Sequence, residues 1–398
     1  RVTQRSKVKA TKMLATRSRS SLLFSLALLA QSIGIVSSFA ISSSTSPKRG
    51  KKISSQGKAP GGFAKKAPDS VPTSHTRDES APTEQLIKFL LQLKSQGMGP
   101  DAGTEVGYDM ANGIRGVYAT KSFKKNELVC KIPSDVALAL SDPSLTTTKE
   151  TMTMADGALN FLRWYQNDEK ARQIWSVYLD TLPTRGAHFD PTPDFYSDEE
   201  IEKLEFPMII KQANERKKQL SELSQSEITF DELQFATWLV ASRSFAIKIS
   251  VDDPLVKEGS VSTAEKAIRV LLPFIDLINH SSDSANTELH LIDPEKDDAW
   301  FAIRAVRPIK KGKEITISYG ASGVESSLGL LMNYGFVPDE NKIDSLLLRK
   351  GGEDCIESLD GWSTTLEEDE AQLLQATGNM VNILKLRIKL KRAYSIEK

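Results

Sequence analysis

Cysteine and histidine are scarce in this chain of 398 residues. The two cysteines, Cys130 and Cys355, stand far apart, which excludes a disulfide scaffold and any site built from clustered thiolates. The four histidines do not supply a zinc site either, since no two are spaced as the paired ligands of such sites are. Acidic residues are missing from one region only. Residues 1–68 carry 14 Lys/Arg and no Asp or Glu, which leaves 38 basic against 52 acidic residues in the remaining 330. A body that acidic is a poor nonspecific partner for nucleic acid, which requires surplus cations to displace counterions. The basic stretch and the acidic body therefore have separate purposes.

The basic stretch reads as an address. Met13 is followed by Arg17 and Arg19, an apolar run from Leu22 to Ala30 that continues to Val36, and then Ser37-Ser38-Phe39-Ala40. A positive start, an apolar middle and small residues at the end make a secretory signal over 13–38. Ser, Gln and Gly interrupt the run, so it is a poor membrane span, with a signal anchor as the alternative. From Ser42 to Pro68 the chain is rich in Ser, Lys, Gly and Pro and resembles a plastid transit peptide. Signal followed by transit-like sequence (39–68) resembles the two-part presequence of algae with complex plastids. It implies a plastid protein, with the secretory pathway as alternative, and no stable membrane association once the presequence is removed. Up to about Ser80 the chain lacks apolar groups to offset ordering entropy and is expected to be disordered.

The body alternates strand-like and helix-like blocks. Pro82-Thr83 opens an amphipathic helix with Leu86, Phe89, Leu90 and Leu93 on one face, ending before Gly97. Gly113 to Thr120 leads through Lys124-Lys125-Asn126 into a strand at Glu127-Leu128-Val129. From Met154 to Phe245 the pattern is helical, with capping boxes at Ser197/Glu200 and Thr229/Glu232. Strand patterns return from Leu271, at Trp300–Val306 and along Ile315 to Tyr319. The tail from Leu366 is helical and reaches Lys398 without a C-cap, so 351–398 is expected to be the start of a truncated helical domain. No repeat at solenoid periods is evident.

Two places carry polar groups where apolar ones are the norm. Asp276-Leu277-Ile278-Asn279-His280-Ser281 follows the apolar Leu271, Leu272, Phe274 and Ile275, and polar residues ending a buried strand need partners from the fold or from a ligand. Alternation places Tyr319 on the face of Ile315 and Ile317, its hydroxyl seeking an inward partner. Taken singly, the first is a turn cap and the second ordinary core packing.

Together with Glu314 to Gly320 and Asn333-Tyr334-Gly335-Phe336, these segments resemble the SET-domain lysine methyltransferases. More narrowly they are similar to the branch typified by the Rubisco large-subunit methyltransferase. Trp175 to Pro183, Asp194-Phe195-Tyr196-Ser197 and Ala241-Ser242-Arg243-Ser244-Phe245 match in the same order. The resemblance implies an α+β fold: a SET β-fold over 84–350 with a knot-like C-terminal half, a helical insert at about 150–245, and a partial C-terminal helical domain that holds protein substrates.

It also implies S-adenosylmethionine as cofactor and no metal. The loop with Arg115, Gly116 and Val117 would contact the cofactor mainly through backbone, where glycine permits close approach. Arg243 would meet the methionine carboxylate, Asn279 and His280 would hydrogen-bond the cofactor, and Phe336 would flank the adenine. Tyr319 would be the catalytic tyrosine, while Asp276 and Tyr334 would face the substrate lysine. The implied partner is a protein, Rubisco or another plastid protein, acted on by a monomer. Two other readings share the fold: a protein-histidine methyltransferase and a non-catalytic binding module. The chain departs from the branch at Leu291, where a further tyrosine is usual, and in a longer stretch over Ala321 to Ser327.

Overall fold

The computed structural model describes residues 74–93, 103–141, 153–187, 189–224, 227–252, 263–292, 299–320, 325–344 and 361–395. The signal-like and transit-like segments and Cys355 lie outside the described residues. The fold starts from a hairpin, β2 (Thr104–Asp109) and β3 (Arg115–Ala119), whose turn is written locally. Asp109 Oδ1 accepts from the amides of Ala111 and Asn112, Asn112 Oδ1 accepts from that of Ile114, and Gly113 takes a positive φ of 71°. These Asx contacts and the glycine reverse the chain within a few residues.

Strand β1 (His75–Arg77) pairs antiparallel with β2 and corrects the expectation of disorder up to Ser80. The polar composition of that stretch conceals one well-partnered residue. His75 is buried, stacks on Tyr118 with ring centroids 3.9 Å apart, and meets Glu105 Oε1 through Nε2 at 2.9 Å. On the other side, β3 pairs with β11 (Glu314–Ile317), which runs parallel to the two-residue β8 (Asn279–His280). The sheet order is therefore β1-β2-β3-β11-β8. Beyond short β8, Asn286 takes over the edge of β11, donating from Nδ2 to the Glu314 carbonyl and accepting from the Thr316 amide.

Two smaller sheets flank this one. The strands β4 (Leu128–Pro133), β10 (Trp300–Ala305) and β9 (Thr287–Ile292) form one, in the order β4-β10-β9. In the other, β5 (Leu138–Ala139) and β6 (Ser244–Asp252) pair with β7 (Thr263–Leu271). Leu271 thus ends a strand and does not begin one, and the helical block stops at Arg243, before Phe245. Apolar patterning alone left both boundaries open, because a buried strand and a buried helix segment carry similar apolar runs.

Between β5 and β6 lie helices that close over the sheets. Helix α1 (Ala81–Leu93) precedes them and buries Leu86 and Leu90, each contributing about 1.5–3 kcal/mol by leaving water. Within the insert are α2 (Met154–Phe161), α3 (Glu169–Leu179), α4 (Asp198–Glu202), α5 (Pro207–Leu223) and α6 (Phe230–Arg243). Both capping boxes read from the sequence are present, at Ser197/Glu200 and Thr229/Glu232. The main core joins α1, α2, α3 and α6 to the strands and contains the free Cys130, whose thiol burial pushes up to about 12 and makes inert.

A second, smaller core links the insert to the C-terminal end. Phe206, Ile209 and Ala213 pack with Leu331 and Met332 of α7 (Ser327–Tyr334) and with Ile383, Leu386 and Leu390 of α9 (Asn379–Ser395). Short α8 (Leu366–Leu373) is tied to α9 by charges. The carboxylate of Asp369, fully buried, meets Arg387 at 3.1 Å and Lys391 at 2.6 Å, and Arg387 also reaches Glu205 at 2.8 Å. Both cations lie over the Trp362 ring. Removing one charge from such a network strands the others in low dielectric. Asp369→Ala is expected to cost about 3–5 kcal/mol, read as a lowered denaturant midpoint, whereas a surface pair such as Lys218–Glu222 removed as a control should barely move it.

Candidate active site

The site begins where β7 ends. Phe274, fully buried and bulky, holds a φ of 73°, a conformation that costs energy for any residue with a Cβ. The reversal sends the chain into a single 3-10 turn, Ile275–Leu277, and places Asp276 in the interior. There Asp276 Oδ2 accepts from Arg243 Nη1 at 3.0 Å and from the Tyr178 hydroxyl at 3.1 Å. Oδ1 is buried without a partner. Burial raises the carboxyl above its usual range, while Arg243 pulls the other way. The guanidinium donates to Asp276 through Nη1, and among the described residues Nη2 and Nε have no partner.

Three residues after Asp276, Asn279 ties three strands together. Its Nδ2 donates to the Arg115 carbonyl at 2.9 Å and to Glu314 Oε1 at 2.8 Å. The arrangement needs Gly116, because a Cβ there would stand 2.5 Å from Glu314 Oε1 and 2.8 Å from Asn279 Nδ2. Glu314 is pushed above its normal pKa by burial, against the Asn279 hydrogen bond. His280 next in line accepts from the Tyr319 amide at Nδ1, 2.9 Å away, so the neutral ring carries its proton on Nε2 and donates it to Ser282 Oγ at 2.7 Å. Burial lowers the His280 pKa to about 4.

Tyr319 lies two residues past the last strand residue, on the side of Ile315 and Ile317. Its hydroxyl donates to the Ile278 carbonyl at 3.0 Å. Its ring stacks on Tyr334 with centroids 4.5 Å apart and planes at 29°. Tyr334 and Phe336 flank Gly335, and Phe336 lies 6.1 Å from the His280 ring. Both phenols are held neutral: burial raises Tyr319 well above its ordinary value, and burial together with Glu325 pushes Tyr334 up to about 12.

The segment carrying those rings is clamped. Helix α7 ends at Gly335, whose φ is 81° and where a Cβ would fall 2.0 Å from the Asp190 carbonyl oxygen. On one side Arg216 of α5 donates to the Met332 carbonyl and to Asn333 Oδ1 (3.0 Å), and pairs with buried Asp194 at 3.4 Å. On the other, Asn382 of α9 donates to the Gly335 carbonyl at 2.9 Å and accepts from the Val337 amide at 3.1 Å.

The fold therefore brings together Asn279, His280, Tyr319, Tyr334 and Phe336, with Asp276 and Arg243 forming the adjoining charged wall. Two residues named from the sequence turn their side chains elsewhere. The Arg115 guanidinium is committed to Asp78 at 2.9 Å, Thr83 and the Thr181 carbonyl, and Val117 is a core residue paired in register with Ile315. The Arg115 carbonyl, by contrast, accepts from Asn279 Nδ2. Leu291 sits half-buried in β9 against the main core, and residues 321–324 of the longer stretch lie outside the described residues. Tyr178, Arg216, Glu314 and Asn382 take part without having been singled out. Glu314 and Tyr178 stood inside motifs already noted, whereas nothing local distinguishes Arg216 or Asn382 from surface residues. A cleft of about 570 Å3 rimmed by Arg307, Lys310 and Lys313 opens along Glu314 and Thr316 and shares only His280 and Glu314 with this cluster.

The sequence pattern of the SET domain matches residues 114–320, just over half of the chain, and the chain belongs to that family. It is 25% identical over 282 residues to the chloroplastic [fructose-bisphosphate aldolase]-lysine N-methyltransferase of Arabidopsis thaliana, a match that covers 67% of this chain. The chain spans about half (54%) the length of that relative. In fold it is similar to the SET domain of LSMT bound to lysine and AdoHcy (TM-score 0.55, 15% identity, 80% of this chain and 91% of that one). A structure of Rubisco LSMT bound to AdoMet is similar to the same degree (TM-score 0.53, 15% identity, 80% and 91%). The α+β SET fold is thereby established. Among the described residues no helix is long and apolar enough to cross a membrane.

The depressed His280 pKa sets a pH dependence. Unfolded, the ring takes up a proton as pH falls through about 6.5, while in the fold it resists down to about 4. The stability the neutral ring contributes is whole above pH 6.5 and is lost as pH falls toward 4. Thermal melts at pH 7.0, 5.5 and 4.5 should show the gap between wild type and His280→Gln narrowing as pH drops; a gap constant across that range would contradict the assignment.

Proposed function

We propose that this chain is an S-adenosylmethionine-dependent protein-lysine N-methyltransferase. The observation that carries the reading is the pair of neutral, stacked phenols, with the proton of Tyr319 turned onto the Ile278 carbonyl. A phenol oxygen whose proton is already engaged presents its lone pairs, and lone pairs are what an incoming amine N–H requires. The cofactor fits what the site leaves unsatisfied. Asp276 Oδ1 and the free donors of Arg243 are complementary to the ammonium and carboxylate of an amino acid, and Phe336 offers a ring face for a base. The backbone at Arg115–Gly116 and the carboxamide of Asn279 complete the wall.

When bound, S-adenosylmethionine supplies an electrophilic methyl group on a sulfonium. The protein's task is to deliver an uncharged lysine amine in line with it. Burial beside positive charge lowers a lysine pKa, so the proton leaves to solvent before the nitrogen lone pair attacks. Neither tyrosine is acidic enough to serve as a strong base. Tyr319 accepts from the amine and points its lone pair, and stacked Tyr334 narrows the channel against Tyr319. Alignment accounts for most of the acceleration in such a displacement.

The acceptor in this reading is a plastid protein. The aldolase-modifying relative and the Rubisco LSMT neighbours support a metabolic enzyme of that compartment over a histone tail, and the presequence pattern agrees. Tyr319→Phe keeps the stack and removes the hydroxyl. It is expected to slow methyl transfer roughly 100-fold, the scale of one lost positioning hydrogen bond, with cofactor affinity changed less than about threefold by calorimetry. Transfer at the wild-type rate would remove Tyr319 from the mechanism.

A further inference from the structure

The C-terminal helix α9 lies in the stretch expected from the resemblance to hold substrate, yet one of its side chains reaches the backbone on both sides of Phe336. Asn382 spans Phe336 through backbone hydrogen bonds on either side of it. Its Nδ2 donates to the carbonyl before Phe336 (Gly335, 2.9 Å) and its Oδ1 accepts from the amide after it (Val337, 3.1 Å). A carboxamide bonded on both flanks of one residue copies a strand partner, and it fixes the rotation of that backbone and hence the direction of the side chain. The Gly335 conformation makes this control necessary. A residue at φ 81° ends α7 and leaves the following backbone with no helical hydrogen bonds to define it.

The remainder of the segment is held on its far side, by Arg216 on Met332 and Asn333 and by the Asp190 backbone against Gly335. Among the described contacts, Asn382 alone brackets Phe336 itself. Just beyond, Lys385 and Lys389 of the same helix hold the Asp339 side chain and carbonyl respectively.

We propose that Asn382 is a positioning residue for the cofactor: from the C-terminal helix it sets the Phe336 ring against His280. This rests on the reading of the site as an S-adenosylmethionine pocket. It makes α9 part of the cofactor site, so that whatever seats on the C-terminal helices is mechanically linked to Phe336.

Full-chain wild type, Asn382→Ala, Asn382→Asp and Lys385→Ala are compared by S-adenosylmethionine calorimetry, with thermal melting to verify folding. Asn382→Ala is expected to bind roughly tenfold more weakly, the scale of the two hydrogen bonds it loses. Asn382→Asp keeps the acceptor for Val337 and loses the donor to Gly335, and should fall between. Lys385→Ala loosens the same helix one turn on and should stay within about twofold, because exposed ion pairs contribute little. A folded Asn382→Ala with wild-type affinity, or an equal loss in Lys385→Ala, overturns the proposal while leaving the cofactor reading intact. A folded wild type that binds no S-adenosylmethionine overturns the cofactor reading, and Asn382 loses its role with it.

Discussion

The carboxamide of Asn279 is the interaction on which the rest depends. Two hydrogens on one nitrogen join β3, through the Arg115 carbonyl, to β11, through Glu314, while the residue itself forms β8. β8 and β11 are only two and four residues long, too short to be held by ladder hydrogen bonds alone. Side-chain contacts do that work instead: Asn279 from one end, Asn286 along the edge, and His280 on the Tyr319 amide. Because polar groups rather than apolar ones complete the pairing, the strand ends stay polar at the point where the reactive side chains gather.

That arrangement stores strain in one place and offsets it in others. Phe274 takes a strained positive-φ conformation so that Asp276 can turn inward, and Arg243 with Tyr178 stabilises the buried carboxylate. The partners come from α6 and α3, so the helical insert is not an appendage. It supplies the counter-charge without which the turn after β7 would bury an unpaired carboxylate, a cost of several kcal/mol. The same insert, through Arg216, holds the end of α7 where Tyr334 is attached. Neutrality is a shared property of the site: burial keeps His280 unprotonated and both tyrosines protonated over the physiological range.

Much of this was legible along the chain. Asp276 to His280 and Tyr319 stood out because polar groups interrupt buried apolar runs, but their joint meaning, and Tyr334 with Phe336, came only from the resemblance to the SET-domain enzymes. The capping boxes at Ser197 and Thr229 were readable because a cap involves four consecutive residues. The failures share a cause. β1 was missed because His75 is polar by type and buried only through partners 30 and 43 positions away, Glu105 and Tyr118. The boundaries at Leu271 and Phe245 were missed for the same reason, since which apolar run is strand and which is helix is decided by the pairing of β5 and β6 with β7.

By itself the sequence determined the composition of the site, the order of its segments and the local turns, since these follow from residue type and near-neighbour spacing. It also determined that the body is acidic and the N-terminal stretch basic. Only the tertiary structure decided which polar groups remain unsatisfied, which tyrosine is turned onto which carbonyl, and that helix α9 reaches back to bracket Phe336. Those are matters of hydrogen-bond direction between residues 41 to 164 positions apart. Direction across such a separation is set by the packing of whole elements, a property no local pattern encodes.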